Sequence, residues 1–213
     1  MAFTDYKSID AILKKHKLRL VSGSVVTPAP DAPVFSDYFR AELDLSLAYL
    51  TPGRSSEIGC GEILLFPILR EVWKTYREEL SLFTHEGLEF DDDLSGTPDY
   101  FVCKVTEYGR IPDVPYLLVV EAKRDDFDRA WGQCVAAMLA AQKLNATPDL
   151  PVYGITTNGK AWEFGVLKHN EFTQQQEPIA VANLDSLRQA LHAIFRACRD
   201  MALAHGAPAP TNP

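Results

Sequence analysis

The residues best suited to chemistry gather in two short motifs, Gly96-Thr97-Pro98-Asp99-Tyr100 and Leu117-Leu118-Val119-Val120-Glu121-Ala122-Lys123. They offer two carboxylates and a lysine, groups with which a metal ion and a water would meet a phosphodiester. Mg²⁺ takes oxygen ligands and keeps several waters, so Asp99, Glu121 and the main-chain carbonyl of Ala122 make a suitable open set. A cation there would polarise a phosphoryl oxygen and acidify a bound water. Lys123 would orient or deprotonate that water, or offset charge building in the transition state.

Positioning these groups falls to strands. Residues 117–120 are an apolar run with Pro115 before it and charges after it, the pattern of a strand buried on both faces of a sheet. Side chains two apart on a strand share a face, so Glu121 and Lys123 point the same way at its end, with Ala122 opposite. A second strand over about 100–105 would bring Asp99 alongside. The bland alternative is a salt-bridged Glu-x-Lys pair on an exposed strand, which does little. Against it, charges that end a doubly buried strand lie at its carboxyl end, where open sheets place their ligands.

At this point the residues match a known group. Pro98-Asp99, Glu121-Ala122-Lys123 and the helix after them resemble the PD-(D/E)xK nuclease superfamily, most closely the N-terminal nuclease domain of type I restriction-enzyme R subunits and its stand-alone relatives. The resemblance runs from about Glu57 to Phe164. Ser56-Glu57 with Leu64-Leu65-Phe66-Pro67-Ile68-Leu69 is similar to the family's first helix, and Gln133 resembles its motif glutamine. Thr156-Thr157-Asn158-Gly159 followed by Trp162-Glu163-Phe164 looks like its hairpin. Ala137 stands where the family often has a tyrosine, a departure that touches the glutamine's usual partner and leaves the metal set intact. The resemblance implies a restriction-endonuclease-like α/β fold, with a central mixed β-sheet flanked by helices and extra N-terminal and C-terminal helices.

Two helices carry the remaining candidates. From Ser55 or Ser56 onward, Ile58, Leu65, Ile68, Leu69, Val72, Trp73 and Tyr76 recur at helical spacing. Glu62 projects within that stripe and Glu57 lies on its flank. The family alignment favours Glu57 and the helical phase favours Glu62 as the carboxylate that holds a metal-bound water; both stay open, beside helix-dipole complementation for Glu57 and a snorkelling edge residue for Glu62. Gln133 sits on an amphipathic helix expected over 126–144, on a face with Ala130, Ala137 and Ala140. Its amide would bond a metal ligand and a phosphate, or else be a half-exposed helix glutamine. Arg124 and Arg129, beside Lys123, are placed to meet substrate phosphates. Asp125, Asp126 and Asp128 complement the helix N-terminus, and Asp91, Asp92 and Asp93 form a turn without the pattern of a calcium loop.

Composition sets the outer bounds. A chain of 213 residues with 46% hydrophobic content is one globular domain with embellishments. The expected division is an N-terminal helical extension over 1–54, the nuclease-like core over 55–170, a C-terminal helical segment over 171–205 and a disordered tail over 206–213. No stretch is apolar enough to span a membrane and the N-terminus does not read as a signal peptide, so the cytoplasm is expected. Cys60, Cys103, Cys134 and Cys198 lack metal-ligand spacing and read as buried free thiols. The net charge of −8 argues against an avid nucleic-acid binder, so weak affinity for DNA is expected. The basic tract Lys14 to Arg19 reads as a solvated helix end. No P-loop is present, and with it no motor of the kind that accompanies this nuclease in restriction subunits.

These observations point to an Mg²⁺-dependent DNA phosphodiesterase, with Mn²⁺ as substitute and a homodimer plausible by analogy. Two rivals remain: a non-catalytic module of the same fold serving a protein partner, and a metal-dependent hydrolase of another phosphate ester.

Overall fold

The computed structural model describes residues 2–49, 56–106, 108–109, 111–124 and 126–205, without the side chains of Glu57 and Ile58. The expected break at 51–53, the helix-capping Asp125, the tail over 206–213 and the carboxylate of Glu57 therefore lie outside the described residues.

Chain order begins with α1 (Ile9–His16), β1 (Arg19–Ser22) and α2 (Asp37–Tyr49). A helical stretch follows as α3 (Glu57–Cys60), a π-helical turn (Gly61–Leu65) and α4 (Phe66–Trp73). Next come β2 (Leu80–Thr84), the small hairpin β3 (Leu88–Glu89) and β4 (Ser95–Gly96), β5 (Tyr100–Lys104), β6 (Tyr116–Ala122) and α5 (Phe127–Asn145). The chain continues through β7 (Val152–Thr157), β8 (Ala161–Lys168), β9 (Glu171–Gln174), β10 (Ile179–Ala180) and α6 (Leu184–Ala204). The main sheet runs β1-β9-β8-β7-β6-β5-β2, with β10 beside β8.

Local chemistry explains most of these elements. Ser8, Asp126 and Asn183 each accept a backbone N–H in the first turn of the helix that follows, the cap that orphan donors require. β6 and β7 are parallel neighbours, which only a crossover can join, and α5 provides it. β7 and β8 pair around Asn158-Gly159, where Gly159 takes φ +85°; a Cβ there would meet Cys60 Sγ at 2.6 Å. The apolar pattern of β6 is borne out: Leu117 to Val120 are all fully buried.

Helices cover both faces of the sheet. Tyr100, Val102, Leu118, Val120 and Ala122 join the core beneath α4 and α6, while Val119 joins the core beneath α5 and α1. This is the mixed sheet flanked by helices that the resemblance implied. α5 departs from the expected amphipathic form, since Ala130 to Gln142 are all buried. The sheet lies under it, and α1, Tyr6 and the β3–β4 hairpin lie over it. Gly132 allows that close cover: a Cβ there would come 2.7 Å from the carbonyl oxygen of Ser8.

Two stretches expected as helical also supply strands. β1 pairs in parallel with β9 at one edge of the sheet, helped by an Arg19–Glu171 ion pair, so residues before 54 and after 170 build the same edge. Among the described residues, no helix is long and apolar enough to cross a membrane.

Candidate active site

β5 and β6 run antiparallel with Tyr100 opposite Val120, so the next step outward sets Asp99 opposite Glu121. Opposed residues in such a pair share a face. Glu121 alternates with Val119 and so lies on the α5 face; its charge also acts on the Cys134 thiol of α5, which burial pushes up. The two carboxylates predicted from separate motifs thus come to neighbouring strand ends.

Ala122 and Lys123 tie the corner together. Ala122 N donates to Asp99 Oδ2 at 2.7 Å, which fixes the aspartate against the end of β6. The Lys123 ammonium donates to the Ala122 carbonyl oxygen at 3.0 Å and lies 3.4 Å from Glu121 Oε1. The main-chain N–H of Lys123 donates to Thr157 O at 3.0 Å, extending the β6–β7 ladder by one residue. The side chains of Glu121 and Lys123 are only 10% and 16% exposed. A buried pair of this kind differs physically from an exposed Glu-x-Lys salt bridge, because each charge has lost most of its water.

Glu62 is exposed, contrary to the phase argument, because the π-helical turn interrupts the α-helical rotation on which that argument depended. It remains near the site edge: its charge acts on the Tyr100 phenol, which burial and then Asp99 push upward. The same phenol abuts the π turn, where a Cβ on Gly61 would come within 2.9 Å of it. Gln133 is buried on α5, and neither amide atom has a hydrogen-bond partner. Arg129 is half-buried with an unpartnered Nε, and Arg124 is exposed directly after Lys123.

Two residues enter the site that the sequence did not mark as site residues, Thr156 having been read there only as part of the hairpin motif. His85 continues β2 opposite Asp99; its N–H donates to Asp99 O at 2.9 Å, and its Nδ1 lies 3.8 Å from Asp99 Oδ1. It takes the left-handed φ of 51° that turns the chain toward the hairpin. Thr156 lies opposite Glu121 on β7. No local signal assigns either one a place at the site, since both arrive there through pairing between distant segments.

Among the described residues, no three His, Cys, Asp or Glu side chains form a group that could hold a metal by themselves. The oxygen set read from the sequence has two carboxylates and one carbonyl. Its chemistry suits a hard cation that keeps most of its water, and the unpartnered hydroxyl of Thr156 stands beside Glu121 on the neighbouring strand.

Comparison with known proteins adds little beyond this. No protein-family model matches the chain, and no curated protein matches it in sequence. Among solved structures, the type IIG restriction endonuclease BpuSI is similar with a TM-score of 0.42 and 16% identity. That similarity covers 67% of this chain and 16% of BpuSI, so the chain spans a small part of that enzyme's length.

Proposed function

We propose that this chain is a divalent-metal-dependent nuclease that hydrolyses DNA phosphodiesters, with Mg²⁺ as cofactor and Mn²⁺ as substitute. The observation that carries the reading is the water-poor corner where Asp99, Glu121, the Ala122 carbonyl and the Lys123 ammonium meet. Structural acidic pairs are rarely kept out of water unless a partner or a site uses them.

Asp99, Glu121 and the Ala122 carbonyl would hold the cation. When bound, it supplies polarisation of a phosphoryl oxygen and a more acidic water. Lys123 stabilises charge developing on the phosphoryl oxygens and orients the attacking water. Glu57 or Glu62, whichever serves the site, would accept a hydrogen bond from that water. With the cation bound, the Gln133 amide, unpartnered in the structure, would hydrogen-bond a metal-binding carboxylate, and Arg124 and Arg129 would meet neighbouring phosphates. With a net charge of −8 the chain gathers DNA weakly, so turnover is expected to fall steeply with salt.

A specific observation favours the rival reading of a binding module. The outer side of α2 exposes Tyr38, Leu45 and Tyr49 at helical spacing, with Ala41 and Ala48 between them. One experiment separates the readings. Purified wild type is incubated with single-stranded, branched and duplex DNA at low salt with Mg²⁺ or Mn²⁺, beside Glu121→Gln and Lys123→Ala. Cleavage lost in both variants supports the nuclease; cleavage absent in wild type, or unchanged in both variants, rejects it in favour of the module.

A further inference from the structure

The row of side chains on the α5 face continues past Glu121. Thr156 is its neighbour on β7, and Glu163 is the neighbour of Thr156 on β8. The Thr156 hydroxyl therefore stands between two glutamates. Thr156 is fully buried, yet its Oγ1 has no hydrogen-bond partner among the described residues.

That hydroxyl is unexplained by packing. A buried, unsatisfied hydroxyl costs free energy, and valine would give β7 the same branched shape without the polar atom. The next residue shows what a structural threonine does here: the Thr157 hydroxyl donates to Ala161 O at 2.8 Å and accepts from Gly159 N at 2.9 Å, closing the hairpin. Glu163 does not call for the Thr156 hydroxyl either. Its Oε2 already accepts from Trp131 Nε1 at 2.6 Å and from Gln174 Nε2 at 3.3 Å. The remaining neighbour is Glu121, and a carboxylate offers about four acceptor sites, enough to take several donors at once beside the Lys123 ammonium.

We infer that Thr156 is a positioning residue of the candidate centre, whose hydroxyl donates to Glu121 through one buried water and holds that carboxylate toward Asp99 and Lys123. The inference rests on the proposed cation site. Thr156 itself touches neither cation nor substrate; it acts through Glu121.

The test measures Mn²⁺ affinity by calorimetry on the full chain, as wild type, Thr156→Val, Thr156→Ser and Glu121→Gln, with thermal unfolding of each in EDTA. Thr156→Val should unfold near the wild-type temperature, because valine keeps the branched shape that packs in the buried row of β7. It should nonetheless bind Mn²⁺ about tenfold more weakly, the low end of what losing a hydrogen bond to a metal-binding group costs. Thr156→Ser, which keeps the hydroxyl, should bind within about twofold of wild type on the same reasoning. If Thr156→Val binds as tightly as wild type while Glu121→Gln binds more weakly, the role of Thr156 is overturned and the cation site stands. If Thr156→Ser fails alongside Thr156→Val, the methyl rather than the hydroxyl matters, which also overturns it. If wild type and Glu121→Gln bind Mn²⁺ equally, the cation reading falls and takes this role with it.

Discussion

Replacing Lys123 with Met tests whether the acidic corner is a buried electrostatic unit or a surface salt bridge. At the 3.4 Å separation of Nζ and Glu121 Oε1, two unit charges attract by about 5 kcal/mol at an effective dielectric constant of about 20. Desolvation of both groups offsets much of that attraction, but deleting one partner strips the other, still buried, of this opposite charge, which costs about 3–5 kcal/mol. An exposed pair would be worth about 0–1 kcal/mol. With both side chains mostly shielded, Lys123→Met should destabilise the metal-free protein by about 3 kcal/mol. The assay is urea unfolding at pH 7 in EDTA of wild type, Lys123→Met, Glu121→Gln and the double variant. The double variant should recover part of the loss, giving a coupling energy of about 2 kcal/mol. Mn²⁺ at about one hundred times its dissociation constant should then restore about 2.7 kcal/mol to Lys123→Met. A coupling below about 0.5 kcal/mol would refute the buried-unit reasoning and return Glu121 and Lys123 to the class of surface pairs.

Three further outcomes follow from groups away from the site. His192 is buried with its pKa lowered to about 4, by burial first and then by Arg188 and Arg196. The unfolded chain therefore takes up a proton near pH 6.5 that the folded chain refuses. Stability should fall by about 1.4 kcal/mol per pH unit from this residue as pH drops below about 6.5, or about 2 kcal/mol by pH 5. His192→Asn should flatten that dependence in urea unfolding at pH 5, 6 and 7, and an unchanged slope would count against the burial argument. Gly132→Ala would press a methyl against the backbone of Ser8 and Tyr6, so it should cost about 2–3 kcal/mol and lower the melting temperature. The Tyr6 hydroxyl lies 3.0 Å from both His16 Nε2 and Asp93 Oδ2, joining α1 to the loop between β3 and β4. Tyr6→Phe should cost about 1–2 kcal/mol and speed amide exchange over 88–96, the segment that delivers Asp99.

What could be read from the sequence was local. β6 announced itself because a doubly buried strand needs an unbroken apolar run, and α5 did so through its cap and its length. Asp99, Glu121 and Lys123 could be named because each is within a residue or two of a strand end. The edge strand β1 gave no such signal: its residues are mostly exposed, so it has no alternation, and its partner lies about 150 residues away in β9. His85 and Thr156 were illegible for the same reason, since only the pairing of separate segments sets them beside Asp99 and Glu121. Glu62 was misplaced by a different cause. Its phase was counted at an α-helical step through a stretch where the helix is wound as a π turn.

That π turn also separates two demands on one piece of chain. It holds one residue more than an α-helical turn, which displaces the two sides in phase by roughly 100°. Leu64, Leu65, Ile68, Leu69 and Val72 can keep their seats in the core whatever bearing the preceding turn adopts. Like a vernier, the extra residue sets the bearing of α3, and with it the backbone of Glu57, independently of the packing behind it. Removing one residue between Gly61 and Leu65 would wind the stretch into continuous α-helix and swing α3 by that same angle around the rim. The rim of the site can therefore be retuned over evolutionary time by a single-codon loss or gain, without disturbing the sheet that carries its carboxylates.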